Sequence, residues 1–199
     1  MISRSKLLII CVLIISSVTV SLIVLPILDS LSTNNETFSE LWLLGPEHKA
    51  ENYPSNVTAN EDYTIFVGVS NQLDHSAYYA IYVKLCNQTE LLPNSTAAQP
   101  SPLNSIHEFQ FNLLDQEMWE TSFTFAVDSV LLQQNVTHVE SITINGDIFP
   151  VNFPSTWDSN RNGFYYTLLF ELWCYDETSS SFQYTNQNVR LQLNITSPF

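Results

Sequence analysis

The chain has 199 residues, of which 13% are aromatic and only four are glycine, a composition that excludes collagen-like and low-complexity proteins and predicts a packed domain. Twenty acidic residues against six basic ones give a formal net charge of −14. Because such a surface repels phosphate backbones, the charge argues against nucleic-acid binding.

The N-terminal part of the chain reads as a membrane anchor. Residues 7–28 contain no charged side chain, and as a helix they would span about 33 Å, the thickness of a hydrocarbon core. Arg4 and Lys6 precede this segment, whereas all acidic residues follow it. The positive-inside rule therefore predicts a single-pass protein of the cell membrane, with residues 1–6 as a cytoplasmic stub and residues 29–199 outside.

A cleaved signal peptide is the alternative interpretation of this segment. Its apolar region is normally 7–15 residues long and ends at small residues before the cleavage site. The segment here is longer and ends in Leu25-Pro26-Ile27-Leu28, which is a poor cleavage site. We therefore expect a signal-anchor helix whose first partner is the lipid bilayer, contacted through residues 7–28.

Six Asn-x-Ser/Thr sequons follow the apolar segment, none with proline in the middle. They begin at Asn35, Asn56, Asn87, Asn94, Asn135 and Asn194. All six lie on the side predicted to be extracellular, so we expect a glycoprotein.

After a polar linker at residues 29–37, residues 38–199 alternate apolar and polar side chains with period two, which is typical of β-strands. The predicted strands are residues 39–44, 62–70, 77–86, 106–114, 118–127, 139–145, 148–151, 163–175 and 189–196. Asn145-Gly146 predicts a tight hairpin, and Ser129–Gln134 a helical turn. Eight or nine short strands separated by turns predict an all-β fold, an immunoglobulin-like antiparallel β-sandwich preceded by one transmembrane helix.

The longest stretch without periodicity is residues 92–104, which contains three prolines. It is either a binding loop or a connection between the two sheets. Long connections of the second kind are usual in Greek-key sandwiches, so we expect a connection.

Three cysteines occur in the chain. Cys11 lies in the apolar segment, and Cys86 and Cys174 are in predicted strands of the outer domain. Two cysteines in one domain of an oxidising compartment favour a disulfide bond, and two buried free thiols are the alternative.

One local motif resembles a metal site. Asp158, Asn160, Asn162 and the glycine that follows reproduce the first half of a calcium-binding EF-hand loop. The twelfth position of that loop should be glutamate and is Leu169 instead, so we favour a polar turn. The histidines have no zinc-ligand spacing, and we expect no cofactor.

Several aromatic residues fall on the second faces of the predicted strands, opposite the core. They are Tyr78, Tyr82, Tyr165, Trp173 and Tyr175. They could stack on sugars, but such residues more often pack between sheets or under loops, and we expect packing.

Several segments together resemble one family. They are residues 40–54 (ELWLLGPEHKAENYP), 67–71, 117–120, 144–146, 157–159, 163–166 (GFYY) and 170–173 (FELW). They resemble the outer domain of uncharacterised archaeal membrane proteins, known as domain of unknown function 1616, over roughly residues 38–197. The resemblance implies an archaeal cell-surface protein and no catalytic residue. Members of that family carry several membrane helices, whereas this chain has one apolar segment.

The sequence contains no catalytic motif, so we expect no enzyme activity. We expect a membrane-anchored extracellular module for cell-surface interaction or envelope structure, with an unknown protein or glycan as its partner. A carbohydrate- or calcium-binding surface module is the alternative.

The predicted orientation can be tested with protease. Because residues 29–199 should lie outside, protease added to intact spheroplasts should digest them and leave the N-terminus protected. Immunoblots against tags at both ends measure the result. Protection of the whole chain would show that the orientation is wrong.

Overall fold

The computed structural model describes residues 37–196. The predicted stub, the apolar segment at residues 7–28, most of the linker and Asn35 lie outside the described residues. Within residues 37–196, no helix is long and apolar enough to cross a membrane.

Ten strands make up the described part of the chain. They are β1 (Phe38–Leu44), β2 (Asn56–Thr58), β3 (Tyr63–Gln72), β4 (Ala77–Cys86), β5 (His107–Leu113), β6 (Met118–Gln133), β7 (Val136–Ile144), β8 (Asp147–Thr156), β9 (Phe164–Asp176) and β10 (Ser181–Thr196). They form two five-stranded sheets, in the orders β1-β3-β6-β7-β8 and β2-β10-β9-β4-β5. The all-β class and the two sheets are confirmed. Every neighbouring pair is antiparallel except β2 with β10, which run parallel.

The strand order follows the immunoglobulin plan over six strands. In the first sheet β1, β3 and β6 are neighbours, and in the second sheet β4, β9 and β10 are neighbours. These are the positions of strands A, B and E and of strands C, F and G. The hairpin of β7 and β8 extends the first sheet beyond β6, where the immunoglobulin plan places strand D.

The core lies between the two sheets and is built by the period-two patterns. In β4, Tyr79, Ile81 and Val83 face inward, and in β9 the inward residues include Phe170 and Leu172. Each of these side chains is fully buried. Removing such apolar surface from water contributes about 25 cal/mol per Å², which makes the alternation the main source of stability.

The structure has more strands than predicted. Ser129–Gln134 is not a helical turn: residues up to Gln133 belong to β6 and pair with β7. The prediction was wrong because Val130, Leu131 and Leu132 interrupt the alternation, and register irregularities lie at Ser129. The short strand β2 and the first half of β10 were not predicted.

The Asn145-Gly146 hairpin is confirmed. Both residues have positive φ, 51° and 91°, as a two-residue turn between twisted strands requires. The turn leads into β8, which is an edge strand of the first sheet and contains Pro150 and Pro154.

The segment at residues 92–104 is not a connection between sheets. It belongs to the loop that joins β4 to β5, which are neighbours in the same sheet. We call residues 87–106 the β4–β5 loop. Its Ser101 contacts Glu171 and Lys84, whose positions alternate with the core-facing residues, so the loop folds over the outer face of the second sheet.

A buried ion pair holds this loop in place. The Lys84 ammonium lies 2.7 Å from the Glu171 carboxylate and 2.7 Å from the carbonyl oxygen of Ser101. The backbone N–H of Ser101 donates to the other oxygen of Glu171, also at 2.7 Å. All three residues are buried. Since burying an unpaired charge is costly, each group depends on the other two.

Replacing Lys84 by methionine would leave the Glu171 carboxylate buried without its cation. We expect the free energy of unfolding to fall by about 3–5 kcal/mol, and to fall less in the double variant Lys84→Met/Glu171→Leu, where no unpaired charge remains. Chemical denaturation followed by circular dichroism measures both. Lys49→Met is the control. The Lys49 ammonium lies exposed beside Glu47 and Glu51, so its loss should lower the free energy of unfolding by no more than about 1 kcal/mol. Wild-type stability of Lys84→Met would contradict the role of the pair.

Candidate functional site

Six aromatic side chains form a cluster on the outer face of the second sheet. They are Tyr78, Tyr82, Trp173, Tyr175, Phe182 and Tyr184, and we call them the aromatic face. They come from three adjacent strands, β4, β9 and β10. The register places Phe182 opposite Tyr175, and Tyr184 opposite Trp173. Because side chains alternate between the faces of a strand, these residues stand on the side away from the core.

The rings of the aromatic face contact one another in a continuous patch. The ring centroid of Phe182 lies 5.4 Å from that of Tyr78 and 5.5 Å from that of Tyr175. Trp173 lies 5.2 Å from Tyr82 and 5.6 Å from Tyr184. Tilted and edge-to-face contacts at these distances are the favoured geometry for aromatic pairs, so the rings support each other's positions.

Polar groups border the patch. The Tyr78 hydroxyl donates to Gln110 at 2.6 Å, and the Asn188 amide donates to the Tyr184 hydroxyl at 3.1 Å. Burial and, to a lesser extent, the nearby Glu108 carboxylate raise the pKa of Tyr82. The phenol therefore stays protonated at neutral pH and remains a hydrogen-bond donor.

At one end the aromatic face opens into a groove of about 510 Å³. The groove is lined by His75, Ser76, Ala77, Tyr78, Asn112, Cys174, Tyr175, Asp176 and Glu177. We call it the terminal groove. Tyr78 and Tyr175 are the most exposed rings of the aromatic face, each 38% exposed. The terminal groove thus combines two accessible rings with amide, carboxylate and hydroxyl groups.

Sequence reasoning identified four of the six aromatic residues of this face. Tyr165, near the start of β9, is not part of this face. Its ring lies under the guanidinium of Arg161, which belongs to the turn between β8 and β9, with 3.9 Å between the guanidinium carbon and the ring centroid. Phe182 and Tyr184 were missed because the polar run at residues 185–188 looked like a loop. In the structure a bulge between Tyr184 and Gln187 absorbs that run and the strand continues.

The calcium-like motif is a self-contained turn. One Asp158 oxygen accepts hydrogen bonds from the backbone N–H groups of Asn160 and Arg161, and the other accepts the Arg161 Nε–H at 2.6 Å. The Arg161 contact holds the pKa of Asp158 below its usual value. Because the turn itself occupies the carboxylate, Asp158, Asn160 and Asn162 do not form an open cation site. Within residues 37–196, no group of three or more histidine, cysteine or acidic residues could hold a metal ion.

The predicted disulfide bond is wrong. Cys86 and Cys174 are both free thiols. In the β4–β9 ladder Cys86 pairs with Thr167, whereas Cys174 pairs with Tyr79. Seven positions along a strand separate them by roughly 23 Å, far beyond the reach of a disulfide bond. Burial raises the pKa of the Cys86 thiol to about 11, so it stays protonated and unreactive.

The described sequons differ in accessibility. Asn56, Asn94 and Asn135 are exposed, whereas Asn87 and Asn194 are half-buried. The Asn87 amide donates to the carbonyl oxygen of Pro154 at 2.7 Å and accepts two hydrogen bonds from Thr89. Asn94 lies in the β4–β5 loop and Asn135 in the turn between β6 and β7, two positions open to a modifying enzyme.

Asn194 has least room for a glycan. Its Nδ2 donates to the Oδ1 of Asn56 at 3.1 Å, so two sequons share one hydrogen bond. Its Oδ1 is buried against Gly163, where a Cβ atom would lie only 2.1 Å from it. A glycan on Asn194 would therefore disturb the packing of β10.

A match to a family model shows which family the chain belongs to. The model called domain of unknown function 1616 (DUF1616) matches residues 32–139. The chain belongs to the DUF1616 family. The matched residues extend from the linker into the first half of β7. They include the β4–β5 loop, the β4 residues of the aromatic face, and the β4 and β5 residues of the terminal groove.

Other comparisons with this DUF1616 protein give only distant likeness. No curated protein matches it. The CARDB domain of the PF1109 protein from Pyrococcus furiosus, in complex with di-metal ions, is 10% identical over 82% of this chain and 96% of that one, with a TM-score of 0.42. Beta-glucosidase from Listeria innocua, in complex with glucose, is 12% identical over 81% of this chain and 16% of that one, with a TM-score of 0.39. At these TM-scores neither likeness bears on function.

The surroundings of the sequon asparagines predict which of them carry glycans. In a cell that N-glycosylates its surface proteins, peptide mapping should find glycans on Asn94 and Asn135 and unmodified Asn194, because the Asn194 amide is packed between β2 and β9. Asn94→Gln and Asn135→Gln should each remove one glycan mass and leave the other site unchanged. A glycan on Asn194 in folded protein would contradict the packing of its side chain against Asn56 and Gly163.

Proposed function

We propose that this DUF1616 protein is a membrane-anchored module that binds a partner at the outer surface of the cell and has no enzymatic activity. The apolar segment at residues 7–28, with basic residues before it and acidic residues after it, supports the anchor and the orientation. The archaeal origin rests on the resemblance to the family. The sequence offers no catalytic motif on which an enzyme alternative could rest.

The aromatic face is the observation that carries the binding role. The second sheet already buries its inner face in the core, so the six outer aromatic residues are not needed to complete that core. Tyr78 and Tyr175 remain exposed, although a contiguous aromatic patch in water is unfavourable. Exposed apolar patches with a polar border are typical of interaction sites, and tyrosine and tryptophan are enriched in them.

Carbohydrate binding is the second candidate, and the terminal groove favours it, since there exposed rings and hydrogen-bonding side chains lie together. Calcium binding has lost its support because Arg161 occupies the carboxylate of Asp158.

Site-specific photo-crosslinking in native membranes tests the binding role. A benzophenone amino acid at Glu108, exposed beside the aromatic face, should give a discrete crosslinked product. The same probe at Ser122, exposed on β6 of the first sheet, is the matched control and should give none. Mass spectrometry identifies the attached protein or glycan.

The second part of this test asks whether crosslinking at Glu108 depends on the rings of the aromatic face. Tyr82→Ala should reduce the Glu108 product strongly, because it removes part of the proposed contact surface. Equal products from Glu108 and Ser122, or a Glu108 product that Tyr82→Ala leaves unchanged, would contradict binding through the aromatic face.

A further inference from the structure

We infer that the terminal groove binds a neutral oligosaccharide, with Tyr78 and Tyr175 stacking on sugar rings and Asn112 and Glu177 bonding to their hydroxyl groups. This inference rests on the proposed function, because it names the ligand class for one end of the aromatic face.

The two tyrosines supply the stacking surface. Their ring centroids are 6.3 Å apart and their planes meet at 63°, so they form an angled wall instead of a flat one. Phe182 contacts both rings from β10 and fixes that angle. A ring held by such contacts loses little conformational entropy when a ligand stacks on it.

Polar groups at the groove have unused hydrogen-bonding capacity. Asn112 and Glu177 are exposed, and neither side chain makes a hydrogen bond to another part of residues 37–196. An amide offers both donors and acceptors and a carboxylate offers acceptors, which together suit neighbouring sugar hydroxyls. Asp176 adds a second carboxylate, whose pKa is lowered by hydrogen bonds from Ser179 and Thr178, so it is ionised at neutral pH.

Charge separates the possible ligand classes. The groove contains two carboxylates and no lysine or arginine, so uronic acids, phosphates and other anions are disfavoured. A quaternary ammonium ion is typically held by several ring faces placed around it as a cage. Tyr78 and Tyr175 instead contact each other edge to face, and the Asp176 oxygens accept backbone N–H groups of the following turn. The geometry therefore favours a neutral ligand.

A buried hydrogen-bond network braces the wall of the groove. The buried Asn71 side chain donates to the carbonyl oxygen of His75 at 2.8 Å and to that of Leu114 at 3.1 Å. Its own oxygen accepts the Tyr79 hydroxyl at 3.0 Å. This network ties the turn between β3 and β4 to the end of β5, the two elements beside Tyr78 and Asn112. Preorganisation of this kind lowers the entropic cost of binding.

Calorimetric titration of the full-length chain in lipid nanodiscs, which contain no sugar detergent, tests the inference. The probes are cellotriose, mannotriose and triacetylchitotriose, with a glucuronate-containing trisaccharide and tetramethylammonium chloride as the charged comparisons. We expect at least one neutral trisaccharide to bind and neither charged probe to do so. Tyr78→Ala and Tyr175→Ala should each weaken that binding about tenfold.

Two controls separate loss of the site from loss of the fold. Tyr165→Ala removes a tyrosine at the other end of β9 and should leave sugar affinity unchanged. Asn112→Ala keeps both rings and should weaken affinity by a smaller factor. Binding of the glucuronate or tetramethylammonium probe alone, or of no probe, overturns the inference. If crosslinking at Glu108 still succeeds in that case, the proposed function stands with another ligand class.

Discussion

The contact among Lys84, Glu171 and Ser101 divides the outer face of the second sheet into two parts. Because both charges are withdrawn from water, the β4–β5 loop must lie over them, and it covers the neighbouring outer surface of β4 and β9. The same Glu171 carboxylate accepts the indole N–H of Trp173 at 3.4 Å. One carboxylate thus marks the boundary between the covered half of the sheet and the aromatic half that remains open.

Most of the fold could be predicted because its strands obey a simple rule. Where one face of a strand meets the core and the other meets water, period-two alternation appears directly in the sequence, as in β5. The rule fails where the surroundings differ. β9 has few polar residues on its outer side because the β4–β5 loop covers Glu171 there and the aromatic face continues through Trp173 and Tyr175, and the bulge in β10 places a polar run inside a strand. The register between strands that are far apart in the sequence does not appear in the local pattern. That register between β4 and β9 is what keeps Cys86 away from Cys174.

The alternation of side chains also allowed part of the aromatic face to be predicted from the sequence. Strand parity placed Tyr78, Tyr82, Trp173 and Tyr175 on outer faces, and that placement is confirmed. The alternation within a strand does not reveal which strands are neighbours. It therefore could not show that Tyr165 lies outside the aromatic face, or that residues of β10 belong to it. The terminal groove needs still more information, because Asn112 and Glu177 come from parts of the chain that only the sheet order brings together.

The composition of β8 bears on how densely such domains can be crowded. An unpaired edge strand can template pairing with the same strand of another molecule, which is a route to fibrous aggregation. β8 carries Pro150 and Pro154, each lacking the N–H group that a growing intermolecular ladder would need. Crowded copies of this domain are therefore poor partners for one another at the β8 edge of the first sheet.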